Sequence, residues 1–181
     1  MTIREQNGFT LAELIATVGI AALLMSIAAP SLNQLTLNTR QITSANALLT
    51  DFHLARDLAI TNNSRVTVCP SSGGEQCEDV SWEEGRIVFV DRDSDRTVSG
   101  DEFVERASTE LDALEIDSEQ FAASISYRPN GRAMAESVRD NTGQFVLCDS
   151  RGGSEARVVI VDMSGRPRVS RTTMLGLTPV C

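Results

Sequence analysis

Between Asp91 and Glu102 the chain places oxygen-bearing side chains at positions 1, 3, 5, 9 and 12 of a twelve-residue stretch: Asp91, Asp93, Asp95, Ser99 and Glu102. EF-hand loops hold Ca²⁺ with oxygens at that spacing, and apolar Val98 falls at position 8 as in those loops. Arg96 stands at position 6, where an EF-hand has Gly to allow its sharp turn. The flanks pattern as strands rather than helices, so a solvated acidic hairpin without metal is the competing expectation. A second cluster is cationic: Gly165-Arg166-Pro167-Arg168, then Arg171, with Arg151 and Arg157 upstream. Guanidinium groups hold phosphates through charge-assisted hydrogen bonds, and such binding weakens steeply with salt. A formal charge of −9 works against nucleic acid as a partner. Arg side chains beside an edge strand discourage strand addition, and that plainer role is the preferred expectation here.

Four cysteines, Cys69, Cys77, Cys148 and Cys181, allow three pairings. Sequence proximity favours Cys69–Cys77 around a Ser/Gly loop and Cys148–Cys181 at the C-terminus, in an oxidising compartment. Zinc is disfavoured, because no C-x-x-C pair is present and no histidine lies nearby. The lone histidine, His53, falls on a helical pattern, and no Ser or Cys has a base partner in view. No enzyme and no required cofactor are expected.

These groups need a scaffold, and the chain divides into two kinds of sequence. Phe9 to Leu32 is apolar apart from one charge, Glu13. Its 24 residues span roughly 36 Å as a helix, against about 30 Å for a bilayer core. Ser26-Ile27-Ala28 passes for a secretory cleavage site, but Glu13 interrupts the apolar region and Met1–Gly8 lacks positive excess. A carboxylate inside a membrane helix costs about 2.5–3.5 kcal/mol on the lenient scale, so it implies a partner. Beyond Pro30, residues Leu32, Leu35, Ile42, Ala45, Leu48, Leu49, Phe52, Ala55 and Ala59 recur at three- and four-residue steps. Asn38, Arg40, Gln41, Asp51 and Arg56 fill the polar positions of this amphipathic helix, which should end near Thr61.

From Arg65 onward short β runs alternate with turn residues. The runs are Val66–Cys69, Arg86–Val90, Phe103–Arg106, Ser124–Tyr127, Gln144–Leu147, Ala156–Val161 and Pro167–Val169. A long helix followed by many strands predicts an α+β fold with antiparallel sheet. The expected organisation is a leader at 1–8, a transmembrane helix at 9–32, its amphipathic continuation at 33–62 and a β-rich domain at 63–181.

Gly8-Phe9-Thr10-Leu11-Ala12-Glu13 resembles the type III signal of type IV pilins and type II secretion pseudopilins. That resemblance implies removal of the leader after Gly8 by a prepilin peptidase and N-methylation of Phe9. It also implies pairing of Glu13 with the amine of a neighbouring subunit, and a helix kink at Pro30. Val66-Thr67-Val68-Cys69-Pro70, Trp82, Gly85–Asp91, Phe145–Cys148, Val159–Val161 and Ser164-Gly165-Arg166 are similar to the GspH/FimT group of minor pilins and pseudopilins. Gly165-Arg166-Pro167-Arg168 also resembles a signature of DNA-binding pilins of natural transformation.

The family resemblance implies a pilin helix packed on an antiparallel β domain and a structural, initiating role in a type IV pilus. A type II secretion pseudopilin is the first alternative, a DNA-binding pilin using Arg166, Arg168 and Arg171 the second, and a plain membrane-anchored binding domain the third. Implied partners are minor and major pilins, the inner-membrane assembly platform and the membrane itself. The implied location is the inner membrane with the globular domain in the periplasm, then a pilus or pseudopilus tip.

Overall fold

The computed structural model describes residues 9–111, 114–135 and 141–181. The leader, with Gly8, lies outside the described residues. Helix α1 runs Leu11–Thr61 without interruption across Pro30. By its contacts the chain forms two units, divided between Thr39 and Arg40 within this helix. In the first unit the helix exposes its apolar side chains, from Leu11 at 77% through Ile27 at 74% to Leu35 at 62%. It is long and apolar enough to cross a membrane.

In the second unit, the last turns of α1 pack on the strands, of which the described residues form nine: β1 Arg65–Pro70, β2 Gly85–Asp91, β3 Val104–Thr109, β4 Glu115–Asp117, β5 Ile125–Tyr127, β6 Ala133–Met134, β7 Gly143–Cys148, β8 Arg157–Val161 and β9 Pro167–Ser170. They form two sheets, ordered β3-β2-β1-β5-β6 and β4-β7-β8-β9. All the strand pairings are antiparallel. Seven of the strands match the β runs of the sequence; β4 and β6 do not. β4 is three residues long, with Ile116 buried between two exposed acids, and β6 is two residues long, so both are too short to show a pattern in the sequence.

One core joins the helix to both sheets. Ala45, Leu48, Phe52, Ala55 and Ala59 of α1 meet Val66, Val68, Val88 and Val90 of one sheet and Phe145, Leu147, Val159 and Val161 of the other. Phe52 packs between Trp82, at a ring-centroid distance of 6.3 Å, and Phe145, at 4.9 Å. The Trp82 indole donates to the carbonyls of Phe121 and Ala122 at 3.0 and 3.1 Å, which holds its polar edge while the ring is buried. Side chains on the opposite face of the first sheet, Cys69, Ile87 and Phe89, form a smaller cluster covered by Cys77, Val98 and Val104. Strand alternation therefore gives the sheet two apolar faces.

Two expectations for α1 need correction. Gln41 and Asp51 are fully buried rather than solvent-facing, and Ile42 is 46% exposed rather than part of the buried stripe. The physical reason is angular: Asp51 lies three residues after Leu48 and four before Ala55, on the same helical face. A close approach of turns also matters. Gly165, at φ +74°, sits so near the Gly131 carbonyl that a Cβ there would come within 2.1 Å of its oxygen. Both the left-handed backbone and the contact demand glycine at this point.

Candidate functional site

Three regions carry the chemistry expected from the sequence. The first is the start of α1. The Thr10 hydroxyl accepts a hydrogen bond from the Glu13 amide at 3.3 Å, and the Thr10 carbonyl accepts from the Leu14 amide at 3.1 Å. Thr10 is thus the N-cap, and Glu13 occupies the third helical position, where an acid also complements the helix dipole. Threonine three residues before glutamate is a capping-box spacing, a local role for both residues that the membrane argument alone passes over. Phe9, the residue after the expected cut, is 77% exposed.

The second region is the acidic loop between β2 and β3. One carboxylate oxygen from each of Asp91, Asp93 and Asp95 lies within 4.8 Å of the others. Asp91 ends β2 and is fully buried, while Asp93 and Asp95 are exposed. Asp91 Oδ2 accepts a hydrogen bond from the Thr67 hydroxyl at 2.7 Å, and Thr67 lies 2.8 Å from the Ser126 hydroxyl. The single Thr67 hydroxyl hydrogen goes to Asp91, so Ser126 donates to Thr67. Asp91 Oδ1 is buried with no hydrogen-bond partner. Arg96, at position 6, adopts φ +65°, the left-handed conformation an EF-hand gives to its glycine.

The other two expected ligands behave differently. The Ser99 hydroxyl donates to Asp93 Oδ2 at 3.3 Å. Glu102 turns its carboxylate to the backbone, accepting from the amides of Arg92 and Ser99. Glu102 therefore closes the loop instead of joining the three aspartates. Val98, at position 8, packs on the Cys69, Ile87 and Phe89 cluster and anchors the loop to the sheet.

The third region is cationic. Arg166 precedes β9, Arg168 lies within it opposite Ile160, and Arg171 follows it; all three are exposed. β9 is an outer strand of its sheet. Asp162 accepts from the Ser164 hydroxyl at 2.6 Å and from the Ser164 and Arg166 amides at 2.8 and 3.2 Å. Burial pushes the Asp162 carboxyl upward, but these hydrogen bonds and the Arg166 charge outweigh it and hold the pKa below its ordinary value. Burial lowers the pKa of Arg157, with repulsion from Arg171 and Arg151 acting the same way.

The cysteines are joined as Cys69–Cys77 and Cys148–Cys181. Beside the second, Arg151 grips Asp149 with its Nε 3.1 Å from each carboxylate oxygen and one terminal nitrogen at 2.6 Å. His53 is exposed on α1.

Sequence reasoning passed over one further group. Asp51 on α1 accepts from Arg86 Nε of β2 at 2.6 Å and from the Ser108 hydroxyl at 3.0 Å, with Arg106 Nε 3.0 Å from its other oxygen. The Asp51 and Arg86 side chains are each 1% exposed. The available signal was the helical phase of Asp51 together with Arg86 directly before the apolar residues 87–90.

Comparison with known proteins agrees with this architecture. The family model described as type II transport protein GspH matches residues 44–165, and that of the prokaryotic N-terminal methylation motif matches residues 3–29. Among curated proteins none matches in sequence. Two crystal structures of the type IV minor pilin FimU from Pseudomonas aeruginosa superpose with TM-scores of 0.58 and 0.52, both at 15% identity. They cover 75% and 71% of this chain and 91% and 90% of their own. At that identity the likeness speaks to fold alone. The minor pseudopilin EpsH of the Vibrio cholerae type 2 secretion system aligns at 11% identity over 79% of this chain and 96% of its own, with a TM-score of 0.47 that carries no argument. The GspH match spans two thirds of the chain and the methylation motif covers the helix start, so the chain belongs to the GspH family of pilin-like structural subunits.

Proposed function

We propose that this protein is a minor pilin, a low-copy structural subunit that helps initiate assembly of a type IV pilus. The observation that carries this reading is Glu13. It is the one charge in the Phe9–Leu32 run, a stretch whose apolar side chains are all exposed, within a matched methylation motif. An isolated carboxylate in hydrocarbon is penalised, and an opposite charge there attracts strongly. Cleavage between Gly8 and Phe9 creates such a charge, the α-amine of Phe9, on each processed subunit. Docking of one subunit against another then satisfies both groups. The periplasmic β domain, resembling that of a minor pilin, presents its surface to neighbouring pilins and to the assembly platform. The arginines along β9 protect an outer strand from adding further strands.

A type II secretion pseudopilus is the second reading, favoured by the description of the matching family. It uses the same helix, processing and docking logic. Sheared surface pili from a strain lacking this gene test the proposal. Loss of pili, restored by the wild-type gene but not by a Glu13→Ala copy, is expected. Normal piliation with a defect in protein secretion transfers the protein to the second reading. Normal behaviour in both, or full rescue by Glu13→Ala, refutes the assembly role.

A further inference from the structure

We propose that the loop from Asp91 to Glu102 binds Ca²⁺ through Asp91, Asp93 and Asp95. A group of acidic side chains on a surface is ordinarily a solvated feature. Here one member is not on the surface. Asp91 is fully buried at the end of β2, and only its Oδ2 is satisfied, by the Thr67 hydroxyl. Its Oδ1 is buried without a hydrogen-bond partner. A buried carboxylate with an unmet oxygen is unfavourable, and a cation held with the neighbouring carboxylates satisfies it. The exposed Asp93 and Asp95 each bring an oxygen within 4.8 Å of one of the two Asp91 carboxylate oxygens, which concentrates negative charge at one point.

Asp93 Oδ1 accepts from the Asp95 amide at 3.3 Å and Asp95 Oδ1 from the Thr97 amide at 2.7 Å, and groups outside the aspartates hold the loop as well. Arg65 donates to the Ser94 carbonyl at 3.2 Å, Arg96 to the Ala135 carbonyl at 3.3 Å, and Gln76 to the Val98 carbonyl at 3.1 Å. Val98 packs beneath. Ser94 and Arg96 both take left-handed backbone, at φ +69° and +65°, which non-glycine residues adopt at some expense. A loop held from three sides in that conformation keeps the three carboxylates together.

The donors are all oxygens, which suits Ca²⁺ or Mg²⁺. One donor sits on a rigid strand and two on a turn, an arrangement that does not impose octahedral symmetry. Ca²⁺ accepts irregular sets of six to eight ligands with water filling the remainder, whereas Mg²⁺ demands near-ideal geometry. With Glu102 committed to the amides of Arg92 and Ser99, the site has fewer charged ligands than a sensor EF-hand. Its affinity then falls in the range of extracellular modules, with Kd about 10⁻⁴–10⁻³ M.

The experiment uses the full chain in detergent micelles, stripped with chelator, and follows thermal unfolding through the single tryptophan, Trp82. At about 10 mM Ca²⁺, the Kd range above multiplies the folding equilibrium constant by about 10–100. The midpoint therefore rises by several degrees. Mg²⁺ at the same concentration, and NaCl at the same ionic strength, are expected to produce a much smaller rise. The exposed double variant Asp93→Asn/Asp95→Asn keeps the chelator-treated midpoint and loses the Ca²⁺ response. An unchanged wild-type midpoint in Ca²⁺ overturns the proposal. So does an equal shift with NaCl, which would mark screening of a chain of charge −9. A full Ca²⁺ shift retained by the double variant overturns it as well.

Discussion

Replacing Asp51 by Asn tests how the helix is locked to the first sheet. The Asp51 and Arg86 side chains are both 1% exposed, at 2.6 Å, so water cannot take over either charge if its partner is lost. Burial already lowers the Arg86 pKa, while the Asp51 charge and hydrogen bond raise it in opposition. Removing one partner of such a buried pair costs about 3–5 kcal/mol, a large share of the roughly 5–15 kcal/mol that stabilises a typical domain. Arg86→Met should cost less, because Asp51 keeps the Ser108 hydroxyl at 3.0 Å and Arg106, itself 44% exposed, at 3.0 Å. The double substitution Asp51→Leu/Arg86→Met should recover most of the Asp51→Asn loss, since apolar replacement of a whole buried pair is often neutral. Urea unfolding of the full chain in detergent, read by Trp82 fluorescence, measures all three. Trp82 is 3% exposed and packs on Phe52, the residue after Asp51, so its signal reports on this junction. An Asp51→Asn loss below about 1 kcal/mol, or a double variant as unstable as the two single losses added together, refutes the argument.

Two further outcomes follow from the other end of the domain. The Cys148–Cys181 bridge closes a separation of 33 residues, for which the chain-entropy relation gives about 3.7 kcal/mol. Cys148→Ala/Cys181→Ala should lose roughly that amount in the same urea assay, and a loss under about 1 kcal/mol would rule out restraint of the unfolded chain as its contribution. Hydrogen bonds from Arg151 hold the Asp149 carboxyl below its ordinary pKa of 3.8. A depressed carboxyl adds stability that is present above the unfolded value and lost as pH falls through the folded one. Thermal midpoints recorded between about pH 5 and 2 should therefore fall more steeply for the wild type than for Asp149→Asn, and parallel curves would remove Asp149 from the acid response.

Features legible in the sequence are those in which neighbours along the chain determine the outcome. The apolar run ending at Leu32 and broken by the single charge of Glu13, the three- and four-residue steps down to Ala59 and the Asn62-Asn63-Ser64 stop after Thr61 are all local signals. Turn residues bounded most strands correctly, and short separations pointed to the cysteine pairs found in the structure. The oxygen spacing from Asp91 to Glu102 was equally visible. Tertiary structure decided what depends on residues far apart in sequence. Helical phase turns Asp51 inward, and it is the Arg86 and Ser108 side chains, 35 and 57 positions away, that satisfy its charge there. Glu115–Asp117 becomes a strand because β7 offers it an edge, despite a segment too short to carry a pattern. The five oxygens divide into three gathered aspartates, one serine hydroxyl bonded to Asp93 and one glutamate that closes the loop. Spacing brought the residues to one loop; burial against Thr67 left one Asp91 oxygen without a partner. That desolvation, which no local pattern encodes, separates a candidate cation site from an acidic turn.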